Sequence, residues 1–285
     1  MTIWTVIAEP FGHPFMVRAM LAGGFLCGIC AILSCFVVLR GWSLVGDALS
    51  HAVLPGIVLA HLAALPMALG AVMSGVACVL AAGALRSTGR VKPDAALGIM
   101  FTGFLALGLV LVTAFPGDVH FNHILLGNLL GIETHDLVQA FALGALAVSI
   151  VLAKRRDLIL YCFDPVQARA IGLSPKRLEM LLLLLVAVTV VAALQAVGFV
   201  LVLAMLITPG CVGLLLARRF DRVLATATSS AVLSAVVGTI ASFHLDGATG
   251  PCIVLVQAAQ FTAAFLLAPR SGLLRSRATM RPSMA

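Results

Sequence analysis

An aspartate and a histidine in the stretch GDALSHAVLPG have the types and the spacing to bind a metal ion. Residues four apart on an α-helix point to the same side, so Asp47 and His51 project together, with Ser50 beside them. Pro55 has no N–H to donate to the carbonyl of His51, and Gly56 allows another backbone to approach. Carboxylate oxygen and imidazole nitrogen, with a spare carbonyl nearby, suit a divalent cation. The sequence therefore predicts a metal site on this helix.

The elements that must position this pair are long apolar helices. The 285 residues are 62% hydrophobic and 10% charged, with a mean hydropathy of +1.15, which excludes a soluble domain with a polar surface. Apolar runs close to the roughly 20 residues that cross a bilayer recur along the chain. We predict an all-α, polytopic membrane helix bundle of eight or nine transmembrane helices, forming a single domain over residues 1–285. The predicted spans are residues 16–39, 43–64, 67–85, 95–115, 136–153, 178–195, 196–217, 223–244 and 250–268.

The Asp47 and His51 pair also has a simpler interpretation. Asp47 could cap the start of the second span, and His51 could be hydrogen-bonded in its first turn. Ionisable groups held within a membrane are costly, however, and usually mark a pathway, which favours the metal site. Two ligands are too few for a tight zinc or manganese site. A symmetric dimer would bring two copies of each side chain together and supply four.

All but two of the 18 lysine and arginine residues lie in four clusters, each separated from the next by two predicted spans. Cytoplasmic loops carry the excess of cations, so all four clusters are expected on the cytoplasmic side, and the net charge of +7 reports topology and not nucleic-acid binding. The last cluster is the basic tail, residues 270–285, which makes the C-terminus cytoplasmic. An odd number of spans then places the N-terminus outside.

A proline in the seventh predicted span is expected to disturb its helix. Pro209 follows Thr208 near the end of that span, and a proline removes one helical hydrogen bond. A kink or a break is expected there.

A short helix is predicted in the cytoplasmic connection between the fifth and sixth spans, over about residues 164–172. Asp164 has the position of an N-cap, with a proline after it and Gln167 as the third residue of a capping box. Gly172 provides the left-handed stop, and Ser174 begins the next span with a second cap.

The outer connection before the fifth span is rich in histidine and acid and contains no Lys or Arg. His120, His123 and His135 could raise the local concentration of divalent cations at the mouth of the protein, or receive a protein that delivers them. An ordinary polar loop at the water interface explains each residue equally well.

The chain resembles the ABC-type zinc/manganese/iron permeases, the ABC-3 family. The resemblance rests on GDALSHAVLPG together with the early PFMVRAML, the later VGFVLVLAMLITPG and the final DGATGPCIVLVQ, and it covers nearly the whole sequence. It implies that Asp47 and His51 hold the metal within a permease dimer. It also implies that the short helix with Asp164, Ala168 and Gly172 is the coupling helix that inserts into a groove of an ATPase subunit.

The resemblance further implies a multi-pass subunit of the bacterial cytoplasmic membrane, surrounded by lipid, with no intrinsic cofactor and no enzymatic activity of its own. No GxxxxGK[ST] phosphate loop occurs in the sequence, so ATP is expected on a separate ATPase chain. A second copy of the chain and an extracytoplasmic metal-binding protein are the other expected partners, and no nucleic acid is expected.

Two other functions are compatible with a polar pair in a membrane helix. A secondary carrier or channel would exchange protons for metal at Asp47 and His51, and an intramembrane metalloenzyme would use them to activate water. The helix at residues 164–172 and the need for a dimer favour the ABC permease. Imidazole suits zinc and carboxylate suits manganese; the outer histidines tilt the prediction to zinc, with manganese or iron as the alternative.

Overall fold

The computed structural model describes residues 9–42, 45–87, 93–115, 131 and 134–268. Regular structure in these residues is entirely helical, with one 3-10 turn at Glu9–Gly12 before the first α-helix. The helices are α1 (Pro14–Leu39), α2 (Val45–Ala52), α3 (Leu54–Leu62), α4 (Met67–Ser87), α5 (Pro93–Ala114), α6 (Thr134–Ala153), α7 (Arg155–Phe163), α8 (Pro165–Ala170), α9 (Pro175–Val197), α10 (Phe199–Leu216), α11 (Phe220–Leu245) and α12 (Thr249–Leu267).

The predicted all-α membrane bundle is confirmed. Within the described residues, seven helical segments are long and apolar enough to cross a membrane, and the bent pair α6 and α7 would make an eighth. A shorter apolar helix, Gly98–Ala114 within α5, lies at the one remaining predicted span. The seven segments are Pro14–Leu39, Val45–Leu62, Met67–Leu85, Pro175–Leu194, Phe199–Leu216, Phe220–Leu245 and Thr249–Leu267.

Helix α7 was not predicted from the sequence. This helix follows the fifth span at an angle of 70°, where Lys154 separates the two helices. Lys154 and Asp157 form an ion pair of 3.7 Å in the first turn of α7. The cationic cluster at this point is typical of a loop, and it concealed the apolar run LILYCF that follows.

The chain divides into two compact units. One unit contains α1 up to Val38, α10 from Ala204 onward, α11 and α12. The other contains Leu39, α2 to α9 and the first residues of α10 up to Leu203. The prediction of a single domain over the whole chain stays a prediction.

In the first unit, α1 and α11 run in opposite directions. The ring of Phe36, near the end of α1, meets that of Phe220, at the start of α11, with centroids 5.1 Å apart. At the other ends, the His13 ring lies 5.6 Å from that of Phe243. Phe220 directly follows a basic cluster, so these contacts agree with an N-terminus on the side opposite the cations.

The sequence predicted a kink or a break at Pro209. Helix α10 continues through this proline, so the break is not observed. The side chain of Ser34 from α1 is inserted into the backbone of α10 at this point. Its hydroxyl donates to the carbonyl of Ile207 at 3.2 Å and accepts from the N–H of Gly210 at 2.9 Å. These two bonds attach the backbone on both sides of the proline to α1.

In the second unit, α3 and α4 touch through their backbones. A Cβ added to Gly56 would lie 2.0 Å from the carbonyl oxygen of Gly70, and one added to Gly70 would lie 2.1 Å from that of Gly56. Only glycine permits this approach on either helix, which confirms the expectation that Gly56 admits another backbone.

A small apolar core lies directly behind α2 and α3. Its buried members come from α4 and α9 as well as from the junction of α2 and α3, and Phe199 packs against them. The cluster consists of Val53, Ile57, Ala71, Val191 and Leu194. Val53 in this core directly follows the helix that carries Asp47 and His51.

Candidate metal site

Asp47 and His51 lie on one face of α2, in its first and last turns. The Nε2 atom of His51 is 3.5 Å from the Oδ1 atom of Asp47. The side chain of Asp47 is 45% exposed and that of His51 is 30% exposed, so both can be reached from outside the chain. The hydroxyl of Ser50, in contrast, is buried and donates to the carbonyl of Gly46 at 2.8 Å. The site on this helix is therefore a carboxylate and an imidazole, without the neighbouring hydroxyl.

Two aromatic rings flank the imidazole of His51. The Phe101 ring from α5 lies 5.2 Å from it, centroid to centroid, and the Phe199 ring lies 5.9 Å from it. Phe199 reaches this position because Gly198, which separates α9 from α10, has a φ of +81° that turns the chain. The two rings restrict the orientation of the imidazole and leave its nitrogen edge toward Asp47.

Sequence reasoning did not find these aromatic neighbours. Gly198 between two apolar runs marks a chain turn and was the available signal for Phe199. Phe101 lies in a span that is apolar on all sides, where nothing in the sequence distinguishes one phenylalanine from another.

The backbone beside the site is interrupted for one residue. Val53 separates α2 from α3 but keeps right-handed helical angles, with φ −72° and ψ −28°, and Pro55 lies in the first turn of α3. The carbonyl of Ala52 accepts a hydrogen bond of 2.6 Å from the hydroxyl of Ser74 on α4. The interruption at Val53 is therefore a local defect within one span, Val45–Leu62.

The short helix predicted over about residues 164–172 has Asp164 as its N-cap and a left-handed glycine after its end. The Oδ1 atom of Asp164 accepts from the N–H groups of Val166 and Gln167 at 3.0 and 2.9 Å, and Gly172 has a φ of +88°. Ser174 also begins its helix, although its side chain makes no capping hydrogen bond. The predicted helix is therefore confirmed as α8, and its role in coupling stays a prediction.

The exposed surface of α8 differs from the one expected. Ala168 is completely buried within the chain, so it cannot itself contact a partner in this conformation. Val166 is 78% exposed and Ile171 is 62% exposed, and Phe163 just before the helix is 64% exposed. We call these three exposed apolar side chains the α8 apolar surface, which another protein could contact.

The outer histidines are only partly described. His120 and His123 lie outside the described residues, and His135 is exposed in the first turn of α6. His61 and His244 are exposed as well. In the part of the chain that the structure describes, no three or more His, Cys, Asp or Glu side chains come together to hold a metal ion.

Comparisons with known proteins agree with the features above. The family model of the ABC 3 transport family matches residues 12–268. The chain is 51% identical over 264 residues to the chelated iron transport system membrane protein YfeD of Yersinia pestis, covering 93% of this chain and 89% of that protein. It is 46% identical over 271 residues to the manganese transport system membrane protein MntB of Synechocystis sp., covering 95% of this chain and 89% of that protein.

A solved structure has the same fold. PsaBC from Streptococcus pneumoniae, determined in complex with Fab, superposes on this chain with a TM-score of 0.85 at 30% sequence identity. The match covers 97% of this chain and 100% of the other.

Proposed function

Because this chain belongs to the ABC 3 transport family, we propose that it is the permease subunit of an ABC importer that carries a divalent transition-metal cation past Asp47 and His51. The chain is a multi-pass protein of the inner membrane. Its own sequence contains no phosphate-binding loop, so a separate ATPase supplies the energy.

The distance between Asp47 Oδ1 and His51 Nε2 is the observation that carries the proposal. Bonds of about 2.0–2.2 Å from a tetrahedral zinc ion to its ligands place two ligand atoms about 3.3–3.6 Å apart. The observed separation is 3.5 Å, so the spacing of the two atoms matches that of two ligands of one ion. Partial exposure of both groups provides access, and the flanking rings limit the orientations of the imidazole.

A second copy of the chain would complete the site. One carboxylate and one imidazole leave a transition-metal ion short of protein ligands, and the described residues bring no third His, Cys, Asp or Glu to them. Twofold symmetry would place two aspartates and two histidines around one axis. We propose that the cation is held between the two protomers, where both could release it together.

For the cargo, we propose manganese or ferrous iron, with zinc as the competing ion. The similar proteins named above are membrane proteins of a chelated iron transport system and of a manganese transport system. A carboxylate ligand suits manganese, and an imidazole suits iron. The histidines of the outer connection favoured zinc in the sequence analysis, and imidazole remains a good ligand for it. An uptake assay that offers each ion separately decides among the three.

The α8 apolar surface is the proposed docking site for the ATPase. Phe163, Val166 and Ile171 are exposed beside a helix that is firmly capped by Asp164. A capped helix transmits a displacement as a unit, because its first turn cannot fray. Movement of the ATPase subunits would thus be passed to the membrane helices through α8.

The test is uptake by the complex of permease and ATPase in a strain without other importers for these metals. Asp47→Ala or His51→Ala should reduce manganese uptake to background, because each removes half of the ligands on its helix. Both variants should still be recovered from the membrane with the ATPase, since both side chains are partly exposed.

His61→Ala is the matched control, because His61 is an exposed histidine in the same membrane segment, ten residues further along the chain. It should transport like the unchanged protein. Normal uptake by both site variants would refute the assignment of Asp47 and His51. Uptake by vesicles that contain the permease alone, without ATPase, would refute the ABC mechanism and favour a secondary carrier.

A further inference from the structure

Arg40 connects two parts of the second unit that are far apart in the sequence. Its guanidinium carbon lies 4.4 Å from the centroid of the Tyr161 ring on α7 and 5.8 Å from that of the Trp42 ring. Tyr161 is 1% exposed and Trp42 is 4% exposed, so the cation lies close to two buried rings. A cation over an aromatic face is attracted by the ring quadrupole, and more strongly where water is excluded.

Tyr161, one partner in this contact, is connected to α8 through Asp164. Tyr161 lies three residues before Asp164, which is the only residue between α7 and α8. The N–H of Asp164 donates to the carbonyl of Leu160 at 2.8 Å, and its carboxylate caps α8. Because Asp164 is hydrogen-bonded to both helices, a displacement of α8 would also move the turn of α7 that carries Tyr161.

On the other side, the contact is joined to the helix of the metal site. The carbonyl of Trp42 accepts a hydrogen bond of 3.2 Å from the N–H of Val45, the first residue of α2. Asp47 lies in the first turn of this helix, and His51 follows one turn later. A shift of Arg40 and Trp42 thus acts on the start of the helix that positions both proposed ligands.

We propose that the Arg40–Tyr161 contact is the joint that couples movement of α7 and α8 to movement of α2, with Arg40 and Tyr161 as positioning residues for transport. The inference rests on the proposed function, since it assigns the two residues a role in the same transport cycle. Arginine suits such a joint because its planar guanidinium stacks on an aromatic ring and stays attached while the ring slides. Lysine, with a compact and strongly hydrated ammonium, would hold the ring less well.

The experiment compares metal uptake and ATP hydrolysis in the same proteoliposomes, using the complete complex of permease and ATPase with Mn²⁺ as the probe. Tyr161→Leu removes the ring, and Arg40→Met removes the charge but keeps a long side chain. Each should hydrolyse ATP within about twofold of the unchanged complex yet move at least about tenfold less Mn²⁺ per ATP. The double variant should be no worse than either single one, because both remove the same contact.

Tyr161→Phe is the matched control, since it keeps the ring face and removes only the hydroxyl; it should retain the unchanged ratio of Mn²⁺ to ATP. Arg40→Lys should give an intermediate ratio, about threefold reduced. Unchanged ratios in Tyr161→Leu and Arg40→Met would overturn the inference. If those two variants do not assemble with the ATPase, an unchanged ratio in Arg40→Lys would overturn it and a reduced one would support it.

Failure of the inference can be told apart from failure of the proposed function. A complex of unchanged sequence that moves no manganese, iron or zinc contradicts the proposed function. A complex that transports normally, and continues to do so after Tyr161→Leu, contradicts only the role of this joint.

Discussion

At the scale of single residues, the candidate site depends on how one imidazole is oriented. The Nε2 atom of His51 lies close to Asp47, and the neighbouring rings of Phe101 and Phe199 limit the rotation of the imidazole. Aromatic pairs of this kind contribute about 0.5–1.5 kcal/mol beyond the area that they bury. An imidazole that is already oriented loses less entropy when it binds an ion, so the rings should raise the affinity for the cargo.

Removing either ring should therefore weaken metal binding without removing a ligand. We expect Phe199→Ala or Phe101→Ala to raise the manganese concentration that gives half-maximal uptake by about 3–10-fold. The dependence of the uptake rate on manganese concentration measures this effect. Phe104→Ala is the control on the same helix, because Phe104 is also half-buried and has no observed ring contact with His51 among the described residues. An equal change in all three variants would mean that loss of packing, and not of orientation, is responsible.

At the scale of helices, the hairpin of α3 and α4 depends on its two facing glycines. Helices in a membrane are not driven together by water, so close backbone approach supplies much of their attraction. Gly56 and Gly70 allow this approach, and the hydroxyl of Ser74 on α4 binds the carbonyl of Ala52 near the same crossing. The hairpin thus supports the end of α2 directly beside His51.

Gly56→Ala should separate these helices and destabilise the protein. The added Cβ would lie 2.0 Å from the carbonyl oxygen of Gly70, and a backbone atom cannot move away as a flexible side chain can. Overpacking of this kind costs about 1–3 kcal/mol or more, so we expect the melting temperature of the purified protein to fall by several degrees.

Gly103→Ala in α5 is the control for this prediction, because a Cβ there would meet nothing within 4 Å. It should leave the melting temperature unchanged or slightly higher, since alanine favours a helix more than glycine does. Equal stability of Gly56→Ala and Gly103→Ala would contradict the close contact between α3 and α4.

At the scale of the whole molecule, the arrangement of charges and the direction of the helices agree. The rings of Phe36 and Phe220 meet beside a basic cluster, and those of His13 and Phe243 meet at the opposite ends of the same two helices. The positive-inside rule then assigns the first of these ends to the cytoplasm. Within the first unit, this orients α1, α11 and α12.

Labelling with a membrane-impermeant thiol reagent tests this orientation. Ala248→Cys, in the exposed turn before α12, should react in intact spheroplasts, where the outer face of the inner membrane is open to the reagent. Arg218→Cys, exposed before α11, should react only after the membrane is permeabilised. The partly exposed Cys211 and Cys252 are replaced by serine in both proteins to remove the background. Labelling of Arg218→Cys but not of Ala248→Cys in intact spheroplasts would contradict this orientation and, with it, the proposed direction of transport.

Several features could be predicted from the sequence alone, because they depend on local chemistry. The apolar runs indicated the spans, Asp164 and Gly172 indicated the ends of α8, and the four-residue spacing indicated that Asp47 and His51 share a face. The helix ends and the shared face depend on residues within one or two turns of each other, and the spans depend on hydropathy summed over about 20 residues. None of these predictions requires knowledge of a distant segment.

Contacts between distant segments were decided by the tertiary structure. Phe199 beside His51, Tyr161 under Arg40, Ser34 at the backbone of α10, and the burial of Ala168 all depend on which face each helix turns toward its neighbours. In a soluble helix the apolar stripe indicates that face, but most of these helices are apolar all round, and their periodicity carries little information about rotation. Packing of small and large side chains, together with a few buried hydrogen bonds, selects the rotation once the helices meet.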